Sequence, residues 1–212
     1  MARTVLSTRR LTEVKLANIG RIIIFCEGKT EKYYFEYFAD IINRNKYTEV
    51  NVVLESAGGN AQAVLNFAKA YFALEENNQR YSTYGKYLAY DCDSPPNIQA
   101  VILASLDYQL LISNPLFETW LLMHFEEVDV CQTKRQTYRK LSEYLHSLYQ
   151  KGHKGIVREI IQNGEIEKAI DNARRLEEVY SLEDMSAFSS IMNMNPFTTV
   201  YRLIEQFMAE IS

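Results

Sequence analysis

The chain has 212 residues, 47% of them apolar and 24% charged, with a net charge of −4 at neutral pH. That length suffices for one substantial buried core, and no apolar run approaches the ~18 residues of a membrane-spanning helix. The N-terminal Met1-Ala2-Arg3-Thr4-Val5-Leu6 stretch lacks the apolar centre of a signal peptide, and Cys26, Cys92 and Cys131 follow neither metal-binding nor disulfide spacing. The expectation is a soluble protein of the reducing cytoplasm, with Cys26 and Cys92 as small buried residues rather than nucleophiles.

Residues 1–20 read as a basic arm, in which Arg3, Arg9, Arg10 and Lys15 outweigh Glu13. The β-branched run Arg21-Ile22-Ile23-Ile24-Phe25-Cys26 predicts the first strand and leads into Glu27-Gly28-Lys29-Thr30-Glu31. Gly28 allows a positive φ or a close approach, and Thr30 is expected to cap a helix over about 31–45. Val50-Asn51-Val52-Val53-Leu54 predicts a second strand. The loop Ser56-Ala57-Gly58-Gly59-Asn60 then either offers backbone N–H groups to a phosphate or is a plain turn with Asn60 capping a helix over about 60–76. Lys86-Tyr87-Leu88-Ala89-Tyr90 predicts the third strand, followed directly by Asp91-Cys92-Asp93.

Strands alternating with helices imply right-handed crossovers and a parallel sheet, an α/β fold of about four strands flanked by helices. In such sheets ligands bind beyond the carboxyl ends of the strands, where both acidic clusters fall. If the strand conformation persists, Asp91 and Asp93 share a face and Cys92 points the other way. Glu31, in a first helical turn, is explained either by the helix dipole or as a metal ligand beside Glu27. Acids converging on one crevice repel one another unless a cation joins them, and hard oxygen ligands select Mg²⁺ or Mn²⁺. Other Asp-x-Asp chemistries fit less well: a haloacid-dehalogenase-like phosphatase places the motif after its first strand, and a nucleotide-sugar transferase has no use for the upstream cluster.

Leu110-Leu111-Ile112 predicts a fourth strand, after which Asn114 is the expected N-cap and Pro115 the first residue of a helix. Glu118 then lies about one turn in, as a metal ligand, as an acceptor behind the ligands, or as a surface acid. Trp120, Leu121 and Phe125 are core residues by pattern, and His124 is a hydrogen-bonded structural histidine, since no second His or Cys stands at zinc-ligand spacing.

Residues 134–212 read as a helical subdomain packed on a 21–133 core, with helices at about 134–150, 155–162, 165–180 and 197–211. Lys134, Arg135, Arg139, Lys140, Lys151, Lys154 and Arg158 face only Glu143 in opposition over 134–158, and Tyr138, Tyr144 and Tyr149 interleave. That segment is either a nucleic-acid contact, with cations on phosphates and rings under unpaired bases, or a solvated helix whose Tyr, Leu141, Leu145 and Leu148 face the core.

The Glu-Gly-x-Thr-Glu turn after strand one and the Asp-x-Asp after strand three resemble the Toprim fold of topoisomerases, primases and OLD-type nucleases. Ser113-Asn114-Pro115-Leu116-Phe117-Glu118-Thr119-Trp120-Leu121-Leu122-Met123-His124-Phe125-Glu126 resembles a signature of the RloB-like family, and Asn195-Pro196-Phe197-Thr198-Thr199-Val200-Tyr201-Arg202-Leu203-Ile204-Glu205 is similar to a second one. Phe197 stands where that family usually has Ser, and Cys92 where it often has a basic residue. The resemblance implies a metal-dependent nuclease of prokaryotic anti-phage defence, of the AbiL abortive-infection type, encoded beside an ATPase partner.

Carried over by motif, Glu27, Asp91 and Asp93 match the Toprim metal-binding and acid–base positions, and Glu31 matches the additional acid of OLD-type nucleases. Lys151-Gly152-His153-Lys154-Gly155 is a basic loop that brings Lys154 or His153 into consideration for a transition-state phosphate, as a lysine does in OLD-type nucleases. The expected activity is Mg²⁺- or Mn²⁺-dependent cleavage of DNA or RNA. A non-enzymatic adaptor of an ATPase complex and a metal enzyme acting on nucleotides are the alternatives, and the oligomeric state is left open, a homo-oligomer included.

Overall fold

A computed structural model describes residues 19–44, 48–54, 59–93, 98–180 and 193–211. The basic arm up to residue 18 and residues 55–58 of the glycine loop lie outside the described residues.

The apolar runs form β1 (Arg21–Cys26), β2 (Glu49–Leu54), β3 (Gly85–Asp91) and β4 (Gln109–Asn114), and these four pair in parallel. The sheet order is β2-β1-β3-β4-β5, where β5 (Phe197–Thr198) is antiparallel to β4. The α/β architecture is therefore the expected one with a fifth strand added. Two residues are too few to show an alternating pattern, so nothing in the sequence announces β5.

Among the described residues the helices are α1 (Lys29–Ile42), α2 (Ala61–Ala73), α3 (Glu75–Arg80), α4 (Ile98–Leu103), α5 (Phe117–Met123), α6 (Lys134–Tyr144), α7 (Lys154–Asn163), α8 (Ile166–Val179) and α9 (Tyr201–Ile211). The two-residue period of the strands divides their side chains between two cores. Ile22, Ile24, Cys26, Tyr87 and Ala89 pack with α1 and α5, whereas Ile23, Phe25, Leu88, Tyr90 and Cys92 pack with α2 and α4. Asp91 continues the parity of Tyr87 and Ala89, which directs it to the α1–α5 face. Leu141, Val157, Ala173 and Phe207 of α6 to α9 belong to that same core. The C-terminal helices thus share one apolar interior with the sheet and with α1.

Four local expectations are corrected. Thr30 does not cap α1: the N-cap is Gly28, with extended backbone and no side-chain bond, and Thr30 is buried inside the first turn. Asn114 and Pro115 do not open α5, because Asn114 remains in the sheet opposite Phe197 and the helix begins at Phe117 with Leu116 as N-cap. The helix expected over 60–76 breaks at Leu74, whose extended backbone separates α2 from α3. Leu148, expected on the core face of a helix to 150, is 74% exposed because α6 ends at Tyr144. Asn60 does cap α2, accepting from the Ala63 N–H at 3.1 Å.

Candidate active site at the carboxyl edge of the sheet

β1 and β3 lie side by side, so the residues following them meet. The Glu27 N–H extends the ladder by donating to the Ala89 carbonyl at 3.0 Å, and Glu27 Oε2 accepts from the Asp91 N–H at 3.1 Å. The two acidic clusters are joined by that bond. Asp91 Oδ1 in turn accepts from the Phe117 N–H at 2.7 Å, at the free N–H end of α5. This fixes the carboxylate between β3 and the helix that carries Glu118.

Glu31 and Glu118 enter from the two helices that cover this face. Both are buried, and the Oε2 atoms of both lack a hydrogen-bond partner among the described residues. Glu118 Oε1 is better served, accepting from the Tyr149 hydroxyl at 2.8 Å and the Tyr138 hydroxyl at 3.3 Å. Of the three readings left open for Glu118, the surface acid is removed by its burial. Asp93 lies two residues past the end of β3, exposed at the rim and near enough for its charge to act on Glu27.

Lys151 supplies the opposing charge. Its Nζ lies 3.6 Å from Asp91 Oδ2 and 3.9 Å from Glu118 Oε2. The backbone aims it there, because Gly152 has a φ of +71° and donates its N–H to Thr30 Oγ1 at 2.8 Å. Positive φ is easily reached by glycine, and the bond ties the loop to the first turn of α1. Thr30, misread as a cap, is instead the anchor of the lysine loop.

Electrostatics follow from burial. Burial raises the Glu27 carboxyl from 4.5 to about 7, the bond from the Asp91 N–H acting against it. Burial likewise raises Glu31 to about 7, with Lys151 opposing. Asp91 is pushed well above the usual carboxylate range, by burial first and then by the charge of Glu31. Burial alone would lower the Lys151 ammonium, but Glu118 and Asp91 beside it hold it above the ordinary lysine range.

The other basic residues are placed elsewhere. Lys154, expected near a phosphate, pairs with Glu36 at 3.7 Å and lies over the Tyr33 ring, while His153 caps α7 through its Nδ1. The structure brings Lys151, and neither of these two, to the acids. Lys140 is paired with Glu126, and Arg158 lies exposed on α7. Lys134, Arg135 and Arg139 are exposed along α6. His124 is structural: its Nδ1 bonds the Trp120 carbonyl and therefore carries the proton, leaving Nε2 to accept from the Tyr34 hydroxyl at 3.1 Å. Burial lowers it to about 4, so it is neutral.

Among the described residues, no three acidic, His or Cys side chains stand close enough together to hold a metal ion in this arrangement. The donors themselves are of the kind a hard divalent cation takes: all are carboxylate oxygens, two of the buried ones lack a hydrogen-bond partner among the described residues, and a lysine ammonium bridges Asp91 and Glu118. Lys151 is 37% exposed, so it has room to withdraw into solvent.

The segments that carried the resemblance also meet. Ser113 Oγ and Thr198 Oγ1 are 3.2 Å apart, the Asn114 amide donates to the Met194 carbonyl at 2.7 Å, and Thr199 Oγ1 accepts from the Ile112 N–H at 2.9 Å. Phe197 is buried against Tyr180. A family model described as RloB-like protein matches residues 22–207. The chain belongs to the RloB-like family. No curated protein and no solved structure matches it. The RloB-like match spans β1 to α9, and so includes Glu27, Glu31, Asp91, Asp93, Glu118, Lys151 and both signature segments. No helix among the described residues is long and apolar enough to cross a membrane.

Proposed function

We propose that this RloB-like chain is a Mg²⁺- or Mn²⁺-dependent phosphodiesterase that cuts nucleic acid, working in anti-phage defence with an ATPase partner. One observation carries the chemistry. Glu27, Glu31, Asp91 and Glu118 gather at the carboxyl edge of a parallel sheet, and Lys151 is the cation in contact with Asp91 and Glu118. So many buried acids are costly without a further positive charge.

Asp91 and Glu31 would hold the metal and Glu27 would either hold it or accept the proton of the attacking water, with Glu118 behind them and Asp93 at the rim. When bound, the ion would neutralise charge developing on the phosphate and acidify a bound water. With its Oε2 fixed by the Asp91 N–H, Glu27 would have Oε1 left for either of those roles. Tyr138 and Tyr149 orient Glu118 through their hydroxyls. Lys151, once displaced from Asp91, would meet the phosphate.

Purified protein, with the ATPase encoded nearby if there is one, should cleave DNA or RNA when Mg²⁺ or Mn²⁺ is supplied. The Asp91→Asn variant should not. Equal cleavage by that variant, or cleavage unaffected by EDTA, would overturn the mechanism. A second reading takes the Lys151 bridge to Asp91 and Glu118 as permanent, which makes the chain a binding subunit of the ATPase rather than an enzyme. A Mn²⁺ titration separates the two, because binding that depends on Asp91 supports the enzyme and its absence supports the adaptor.

A further inference from the structure

A cavity of about 620 Å³ lies against Tyr138 and Tyr149, the two tyrosines whose hydroxyls donate to Glu118. It is lined by Lys134, Arg135, Tyr138, Arg139, Leu148 and Tyr149, with Ser142. We propose that this cavity takes one unpaired base of the nucleic-acid strand, with the flanking phosphates on Lys134, Arg135 and Arg139, so that the chain acts on single-stranded nucleic acid. The inference rests on the nuclease reading for its substrate class and deepens it.

The volume lies within the ~300–1,000 Å³ range of small-ligand pockets. The wall chemistry is that of a nucleotide. Tyr138 is half-buried, offering part of its ring, and Leu148 is 74% exposed at the edge, an apolar side chain of that size with no core to explain it. Unpaired bases bind to such apolar and aromatic surfaces whatever their sequence, while phosphates require nearby cations. Lys134, Arg135 and Arg139 provide them on successive turns of α6. Lys134 lies 5.8 Å from the centre of the Tyr138 ring, and Arg139 has only an exposed ion pair with Glu143. Neither contact is strong enough to withhold the cation from a phosphate.

What ties the cavity to the acids is the tyrosine pair itself. Tyr138 and Tyr149 pack edge to face, 4.8 Å between centroids, and line the cavity with their rings while both hydroxyls donate to Glu118. Lys151, two residues beyond Tyr149, lies on the other Glu118 oxygen. A base held in the cavity is therefore separated from the carboxylates by the length of a tyrosine, and its neighbour along the strand reaches them. A duplex cannot insert one base without breaking its pair and its stacking.

Binding is measured by fluorescence anisotropy in EDTA, so that it is read apart from cleavage, with fluorescein-labelled single-stranded DNA and RNA of mixed sequence, the corresponding duplexes, and AMP as competitor. A single strand should bind more tightly than its duplex. The exposed-site variants Arg135→Glu and Leu148→Asp should each weaken that binding about tenfold without changing the melting temperature. Equal affinity for duplex, no effect of either variant, or no binding at all would overturn the proposal. So would AMP displacing the strand with the strand's own affinity, which would mark a site for a free nucleotide. Wild-type binding with this pattern but without metal-dependent cleavage would leave the cavity assignment standing and sink the nuclease reading alone.

Discussion

Lys151 Nζ stands 3.6 Å from Asp91 Oδ2, joining a loop that precedes α7 to the end of the central strand β3. The pair holds a buried acid in place without a metal ion. Replacing Lys151 by Met leaves Asp91 and Glu118 without that charge, and the metal-free protein is expected to lose about 2 kcal/mol of stability, less than a fully buried pair would cost because the lysine is partly exposed. Mn²⁺ should stabilise the Lys151→Met variant more than the wild type. Chemical denaturation in EDTA and in Mn²⁺ checks both, and an identical Mn²⁺ effect in the two proteins would show that Lys151 does not compete for the cation's place.

Glu27 and Glu31 give the metal-free protein a specific pH dependence. Both are raised from 4.5 to about 7 by burial. Below 4.5 the folded and unfolded chains are both protonated at these sites. As pH rises from 4.5 to about 7 the unfolded chain ionises first, so folding stability falls across that window and then levels off. The raised Asp91 acts in the same sense. Saturating Mn²⁺ should flatten the fall, and Mn²⁺ affinity should increase as pH rises toward about 7. Melting temperatures against pH, with and without Mn²⁺, provide the measurement.

Gly28 has an ordinary extended backbone, so its lack of a side chain matters for space alone. A Cβ there would come within 2.6 Å of Glu31 Oε2. Since that oxygen is the end of a flexible side chain, Gly28→Ala should fold normally but move the Glu31 carboxylate. Mn²⁺ affinity by calorimetry is expected to drop about tenfold, the usual scale for disturbing the surroundings of a metal ligand. An unchanged affinity would place Glu31 outside the metal set.

Thr30 Oγ1 is the acceptor that pins Gly152. Thr30→Val preserves shape and removes the acceptor, which should cost about 1 kcal/mol and loosen the loop that presents Lys151. Hydrogen exchange at the Gly152 amide should accelerate, and cleavage should fall by more than the lost stability explains. Unaltered exchange would show that Gly152 is held by other contacts.

The four parallel strands were legible because each is an apolar run with β-branched or aromatic residues, and such runs have few other ways to be buried. The carboxyl-edge location of Glu27 and Asp91 followed from the order of the elements, since parallel strands joined by crossover helices put their trailing residues on one edge. The Asp-x-Asp spacing was less informative than it looked. It predicts a shared face for Asp91 and Asp93 only while the chain stays extended, and β3 ends at Asp91.

Local pattern determined the four parallel strands, most helices, the edge at which the acids collect and the family signatures of this chain, but not β5. Tertiary structure alone chose among the chemically equivalent residues. Lys151 and Lys154 belong to one short basic loop and nothing local separates them, yet the Gly152–Thr30 bond turns the first toward Asp91 while α7 turns the second toward Glu36. Glu118 became a buried acid, and Tyr138 and Tyr149 became its donors, through contacts between segments distant in the chain. Sequence pattern records what a residue's neighbours favour, whereas a charge's partner depends on which distant backbone is packed beside it.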